Sequence, residues 1–179
     1  GGGSRRARPC AGESGLPCRS PDQDCSPLGT DQSATATTST RYLGMERSAE
    51  PLTTDGFTPF GQVITAPNTY GRQTFTGSLA HADRPPVLST THTPARQAPF
   101  IIDRLERHPH SSQTFLPLDV GRWLIVAAAV ADSSQVRAFV ADGMTGVTIG
   151  RGIWHGSLTA LDRDASFAVM MWKNDAPDD

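Results

Sequence analysis

Cysteine is absent from all but the first 25 residues of this 179-residue chain. Cys10, Cys18 and Cys25 are the whole complement. Their spacing fits no zinc pattern, and an odd number in a Gly- and Ser-rich stretch builds no disulfide framework. They read as free thiols, and the thiol-free remainder suits a reducing compartment. Long apolar runs are missing too. Nothing approaches the roughly eighteen consecutive apolar residues that cross a bilayer as a helix. Nor is there an excess of one charge: 16 basic residues face 18 acidic ones. Such a balance leaves no electrostatic footprint for nucleic acid or an anionic membrane. The chain reads as a soluble protein with a small-molecule partner.

The first 44 residues lack the means to build a core. Gly, Pro, Ser and Thr dominate, and Ser33 to Thr40 (SATATTST) is close to low complexity. Large apolar residues are too scattered there to offset the entropy of ordering. Five arginines are interleaved with four acidic residues, and no apolar signal-peptide core accompanies them. The first methionine is Met45. Residues 1–48 are therefore expected to be a disordered extension, either a leader or lead-in sequence upstream of the true start. A single domain is expected over 49–174, and 175–179 should form a solvated acidic tail.

Within the domain, short strand-like runs alternate with turns. Pro51 to Ile64 reads as a capped turn or short helix followed by a strand at Gln62 to Ile64. Asn68 to Ala80 reads as loop or short edge strands, and Val87 to Thr91 as a strand. Trp123 to Val130 (WLIVAAAV) has no polar alternation, so it is either a strand buried on both faces or a helix; its length favours the strand. Val136 to Val140, Val147 to Ile149, Leu158 to Leu161 and Phe167 to Trp172 follow at short intervals. This punctuation points to an all-β sandwich or barrel.

The chemistry concentrates in Arg104 to Gly121. Read as a strand, Phe100 to His108 puts Glu106 and His108 on one face and Leu105 and Arg107 on the other. Pro109 and the turn-like His110-Ser111-Ser112 end that strand. Gln113 to Leu118 then returns with Gln113 and Phe115 sharing a face. A carboxylate, an imidazole and an amide can thus converge from neighbouring strands. Arg107, facing away, is expected to pair with Glu106 at the rim. Trp154 and Phe115 are expected in the core or pocket wall, and His81, His92 and His110 in solvent-facing loops.

The spacing of Glu106, His108 and Gln113 resembles the first motif of the cupin superfamily. Gly150 to His155 resembles the second, which adds His155 as a fourth member. More closely, Pro51 to Ile64, Leu105 to Leu118 and Arg137 to His155 resemble, in order and spacing, three blocks of the ureidoglycolate lyase family, once called ureidoglycolate hydrolases. The resemblance implies a cupin-type double-stranded β-helix, or jelly-roll barrel. It also implies a cytoplasmic homodimer that splits ureidoglycolate into glyoxylate and urea during allantoin and purine breakdown. Some members are described with a divalent metal such as nickel, for which Glu106, His108, Gln113 and His155 are the candidate ligands. For the reaction, His155 and Glu106 are the expected proton-transfer groups. His108, Gln113 and Phe115 are expected to hold substrate, and Arg137 or Arg104 to clamp its carboxylate.

The chain departs from the family pattern in three places. Trp154-His155-Gly156-Ser157 stands for the usual Trp-His-His-Pro. Thr74-Phe75-Thr76-Gly77 stands for an Arg-aromatic-His-Asp cluster, and Met171-Trp172 for Asp-Arg. The alternatives are a diverged cupin that binds or transforms another small hydroxy acid, and a non-catalytic binding protein. The binding or structural reading would win if Met171 or Trp172 plugged the cavity.

Overall fold

A computed structural model describes residues 46–177 and 179, which belong to one structural unit. The expected extension, apart from 46–48, and all three cysteines lie outside the described residues. The chain builds two facing sheets. The first runs β1 (Glu50–Pro51), β6 (Arg137–Ala141), β5 (Trp123–Ala128) and β8 (Trp154–His155), with β9 (Thr159–Ala160) also pairing with β5. The second runs β2 (Gly61–Ile64), β7 (Gly146–Ile149), β4 (Gln113–Asp119), β10 (Ala165–Trp172) and β3 (Pro86–Thr93). All pairings are antiparallel except β1 with β6. This is the expected all-β jelly-roll. The one α-helix among the described residues, α1 (Thr54–Phe57), is capped by the Thr53 hydroxyl, which accepts the Gly56 N–H at 3.1 Å.

Alternation along each strand builds the core. Phe115 from β4, Trp123, Ile125 and Ala127 from β5, Phe139 from β6, Val147 and Ile149 from β7, and Phe167 and Val169 from β10 interlock between the sheets. Each large side chain so buried contributes on the order of 2 kcal/mol. The opposite face of β5 is covered as well. Leu124, Val126 and Ala128 form a second cluster with Leu105 and Trp154, and Phe100 and Ile102 pack against it. All six residues of β5 are buried, the physical reason its sequence shows no polar alternation.

That second cluster corrects the expected strand at 100–108. The segment is an irregular cover laid across β5; within it bridge pairing is confined to Leu105 and Glu106, the latter bridging to His155. Its apolar side chains do not alternate. Ile102 and Leu105, three apart, both reach the second cluster, whereas Ile101 is exposed. Arg107 does not pair with Glu106; its guanidinium lies 4.9 Å over the Trp154 ring. His92 lies within β3 rather than a loop, and His81 stacks on Trp172 at 5.4 Å.

The C-terminal end is anchored. The Asp179 carboxylate accepts the backbone N–H groups of Asn174 and Ala176 at 3.0 and 2.9 Å and pairs with Arg84. Among the described residues no helix is long and apolar enough to cross a membrane.

Candidate active site

Backbone hydrogen bonds bring the two motifs together. Glu106 and His155 exchange both N–H···O=C bonds at 2.8 Å, and the Gly152 N–H donates to the His108 carbonyl at 2.9 Å. Gly152 reaches that carbonyl from a left-handed conformation (φ 77°), which glycine adopts without strain. β8 then turns Trp154 outward and His155 inward, where it pairs with Ala127 of β5. The turn between His108 and Gln113 is also pinned. Ser112 exchanges backbone and hydroxyl hydrogen bonds with Ala80, and the Ser111 hydroxyl accepts the Trp172 N–H at 2.8 Å. Both serines are buried. Their hydrogen bonds fix where Gln113 enters β4.

The four side chains meet. His155 Nε2 lies 2.8 Å from Gln113 Oε1 and 3.6 Å from Glu106 Oε1, and the His108 and His155 rings are 5.3 Å apart. Phe115 closes the inner wall, edge-on to His155 at 6.4 Å. His155 Nδ1 faces the Ile153 carbonyl at 3.0 Å. A proton on Nδ1 satisfies that carbonyl and leaves a lone pair at Nε2. Gln113 presents Oε1 to Nε2 and its amide nitrogen to the Met171 sulfur; turning the side-chain amide over brings its N–H to that lone pair, the orientation this network requires. The Ile153 carbonyl was not foreseen from sequence; backbone acceptors carry no sequence signal.

Electrostatics favour neutral imidazoles. Burial pushes His155 down to about 4, with the neighbouring His108 adding to the shift and the Ile153 carbonyl opposing it. Burial also lowers His108, against the pull of Glu106, with a smaller opposing contribution from Gln113 and a smaller lowering one from Lys173. Yet neither buried ring nitrogen of His108 meets a well-aligned hydrogen-bond partner. Glu106, His108 and His155 each present one ligand atom, all within 4.8 Å of one another. Two neutral imidazoles and a carboxylate are a donor set suited to a divalent transition metal, and a bound cation would satisfy the orphaned His108. Gln113, engaged by His155 and 3.8 Å from the Met171 sulfur, is better placed to orient His155 than to join the ligands.

The depressed His155 has a consequence for stability. The unfolded chain takes up this proton near pH 6.5 and the folded one only near 4. The contribution is therefore complete above the higher value and is lost as pH falls through that window, to a total of ~3 kcal/mol. Urea unfolding of chelator-treated protein should show stability falling between about pH 7 and pH 5. A His155→Gln variant should show a shallower slope; equal slopes would mean the ring does not carry the effect.

A cavity of about 370 Å³ opens over the cluster. Glu106, Gln113, Phe115, Met171 and Lys173 line it, and residues of β3, which pairs with β10 in the same sheet, extend the lining beyond Met171. Neither arginine proposed for the substrate carboxylate is there. Arg137 is committed elsewhere: it forks onto the Glu50 carboxylate at 2.8 and 2.9 Å, donates to the Gly56 carbonyl and lies 4.8 Å over Phe139. Arg104 is exposed and does not line this cavity.

Residues 46–179 match the family model described as ureidoglycolate lyase. The chain belongs to the ureidoglycolate lyase family. A ureidoglycolate lyase of Pseudomonas syringae pv. tomato is 36% identical over 135 residues, 68% of this chain and 79% of that one. One of Burkholderia mallei is 36% identical over 136 residues, 69% of this chain and 80% of that one. Among solved structures, RmlC from Streptococcus suis aligns with a TM-score of 0.37 at 11% identity, covering 51% of this chain and 45% of the other.

Two of the three departures from the ureidoglycolate lyase pattern point away from the cavity. A side chain at Gly156 would start 3.3 Å from Val126 and 3.8 Å from Leu105, in the apolar cluster behind β5. The missing second imidazole therefore costs the inward-facing site nothing. Thr74 and Phe75 line a groove on the outer face of the second sheet, with Thr114, Thr148 and Met170. Of Met171 and Trp172, only Met171 reaches the cavity. It forms wall, not plug.

Proposed function

We propose that this chain is a ureidoglycolate lyase, releasing glyoxylate and urea, and that Glu106, His108, Gln113 and His155 form its site. The single observation that carries the reading is the convergence of these four side chains, in a member of this family, beside an open cavity that Glu106 and Gln113 line and behind which His155 is buried. Ureidoglycolate carries a hydroxyl, a carboxylate and a ureido nitrogen on one carbon. In its cleavage the hydroxyl gives up its proton, the C–N bond breaks as a C=O bond forms, and the ureido nitrogen gains a proton. The proton lost and the proton gained balance.

One carboxylate can carry that proton, and Glu106 borders the cavity with its side chain 37% exposed. It accepts from the hydroxyl and delivers to the departing nitrogen. His155, neutral at physiological pH, offers the Nε2 lone pair to the substrate hydroxyl and holds it in line. Gln113 aims that ring, and Phe115 and Met171 shape the wall. Glu106, His108 and His155 would hold a divalent metal such as nickel, which when bound polarises the substrate oxygens. The Nε2 lone pair serves one partner at a time, Gln113 in the empty site and the substrate hydroxyl or a cation once either binds, and its release frees the Gln113 amide for substrate.

In this reading the protein works in allantoin breakdown in the cytoplasm as a homodimer. Leu88, Leu116 and Leu118, exposed on the second sheet, supply an apolar face that a second copy would cover. Incubation of purified protein with ureidoglycolate, with and without nickel, tests the activity. Glyoxylate release above the spontaneous rate is expected, and none under either condition would overturn the reading.

A further inference from the structure

The cavity lacks the arginine that a carboxylate substrate would be expected to meet, yet it is not without a permanent cation. Lys173 lines it, and no other lysine occurs anywhere in the 179-residue chain. Among the residues that line the cavity no arginine accompanies it. We propose that Lys173 is the carboxylate-recognition residue of this site, selecting small 2-hydroxy acids over their neutral amides. The inference rests on the lyase reading for its substrate, but it can fail or stand separately.

Placement supports the assignment. Lys173 follows directly on β10, the strand that brings Met171 to the cavity, and its backbone N–H donates to the Pro85 carbonyl at 3.1 Å. Its stem therefore starts from a fixed point at the rim. The ammonium pairs with Asp175 at 2.9 Å, and that carboxylate is 83% exposed. An exposed pair of this kind is weak and screened by salt, so an entering carboxylate can displace it. Glu106 lines the same cavity. A substrate bound with its carboxylate on Lys173 leaves its other substituents for Glu106. The reversed orientation brings two carboxylates together, which like-charge repulsion disfavours. Lys173 would thereby select both the anion and its orientation. It touches substrate without taking part in proton transfer.

The single lysine makes the test direct. Reductive methylation with ¹³C-formaldehyde keeps the positive charge and gives one side-chain dimethylamine signal, told apart from that of the chain's amino terminus by its loss in Lys173→Met. Glycolate retains the hydroxyl and carboxylate of the substrate, and glycolamide replaces the carboxylate by a neutral amide. Titration with glycolate should shift the Lys173 signal saturably, and glycolamide should not. In Lys173→Met, glycolate binding followed by calorimetry should weaken about tenfold or more, with recovery in Lys173→Arg. An unmoved signal under glycolate, or wild-type affinity in Lys173→Met, would overturn the assignment. Glyoxylate release from ureidoglycolate with an unmoved signal removes Lys173 and keeps the lyase. A saturable shift without glyoxylate release does the reverse.

Discussion

Replacing His155 with Ala should lower ureidoglycolate turnover by about a hundredfold or more. The ring is 1% exposed and sits at the junction of every element of the site. Nδ1 is tied to Ile153, and Nε2 faces Gln113 and Glu106. Truncation removes the lone pair that would meet the substrate hydroxyl and leaves the Gln113 amide without its partner. The same burial gives the substitution a folding cost. A cavity and an unsatisfied polar group together amount to a few kcal/mol. His155→Gln keeps a polar side chain of similar reach and should recover much of the stability without recovering turnover. Stopped-flow glyoxylate release beside thermal unfolding separates the two effects. A well-folded His155→Gln enzyme with wild-type turnover would take the imidazole out of the reaction.

Glu106→Gln should have a comparable effect on rate with almost none on folding. The backbone of Glu106 is held by its reciprocal bonds to His155 whatever the side chain, and Gln is nearly isosteric. What disappears is the negative charge and with it the capacity to carry a proton, for a loss of about 10²- to 10⁴-fold in turnover. Equilibrium dialysis against nickel should show weakened metal binding in the same variant, since a neutral amide is the poorer ligand. Retention of both turnover and metal affinity would show that the third ligand and the proton carrier lie elsewhere.

The sequence was most legible where one strand carries its own pattern. Trp123 to Val130 could be read as doubly buried because every position is apolar, and the strand keeps that burial to Ala128, with Ala129 and Val130 exposed past its end. Gln113 and Phe115 fell on the inner face because they are two apart on a strand bounded by a clear turn. Legibility ended where position depends on distant chain. Phe100 to His108 has strand-like composition, but Ile102 and Leu105 are drawn together onto the back of β5, which no local period encodes. Arg137 reads as a free cation until Glu50, far earlier in sequence, folds beside it. The loss at Gly156 looked chemical because its neighbour is His155; alternation on β8 sends the two positions to opposite sides of the sheet. Lys173 lies just past the motif-like residues, in a place where only the folded rim reveals its neighbours.

The cover over β5 also governs how the protein fails. WLIVAA is uncharged, rich in β-formers and free of proline, the kind of window that seeds intermolecular sheets once bared. Its outer face is hidden by Phe100, Ile102, Leu105 and Trp154, and the covering segment continues directly into Glu106 and His108. Lifting that segment would dismantle the site and uncover the adhesive strand in one event. Thermal inactivation and the onset of aggregation should therefore share a threshold. A ligand gripping Glu106 and His108 would raise both together, so site occupancy doubles as protection against clumping.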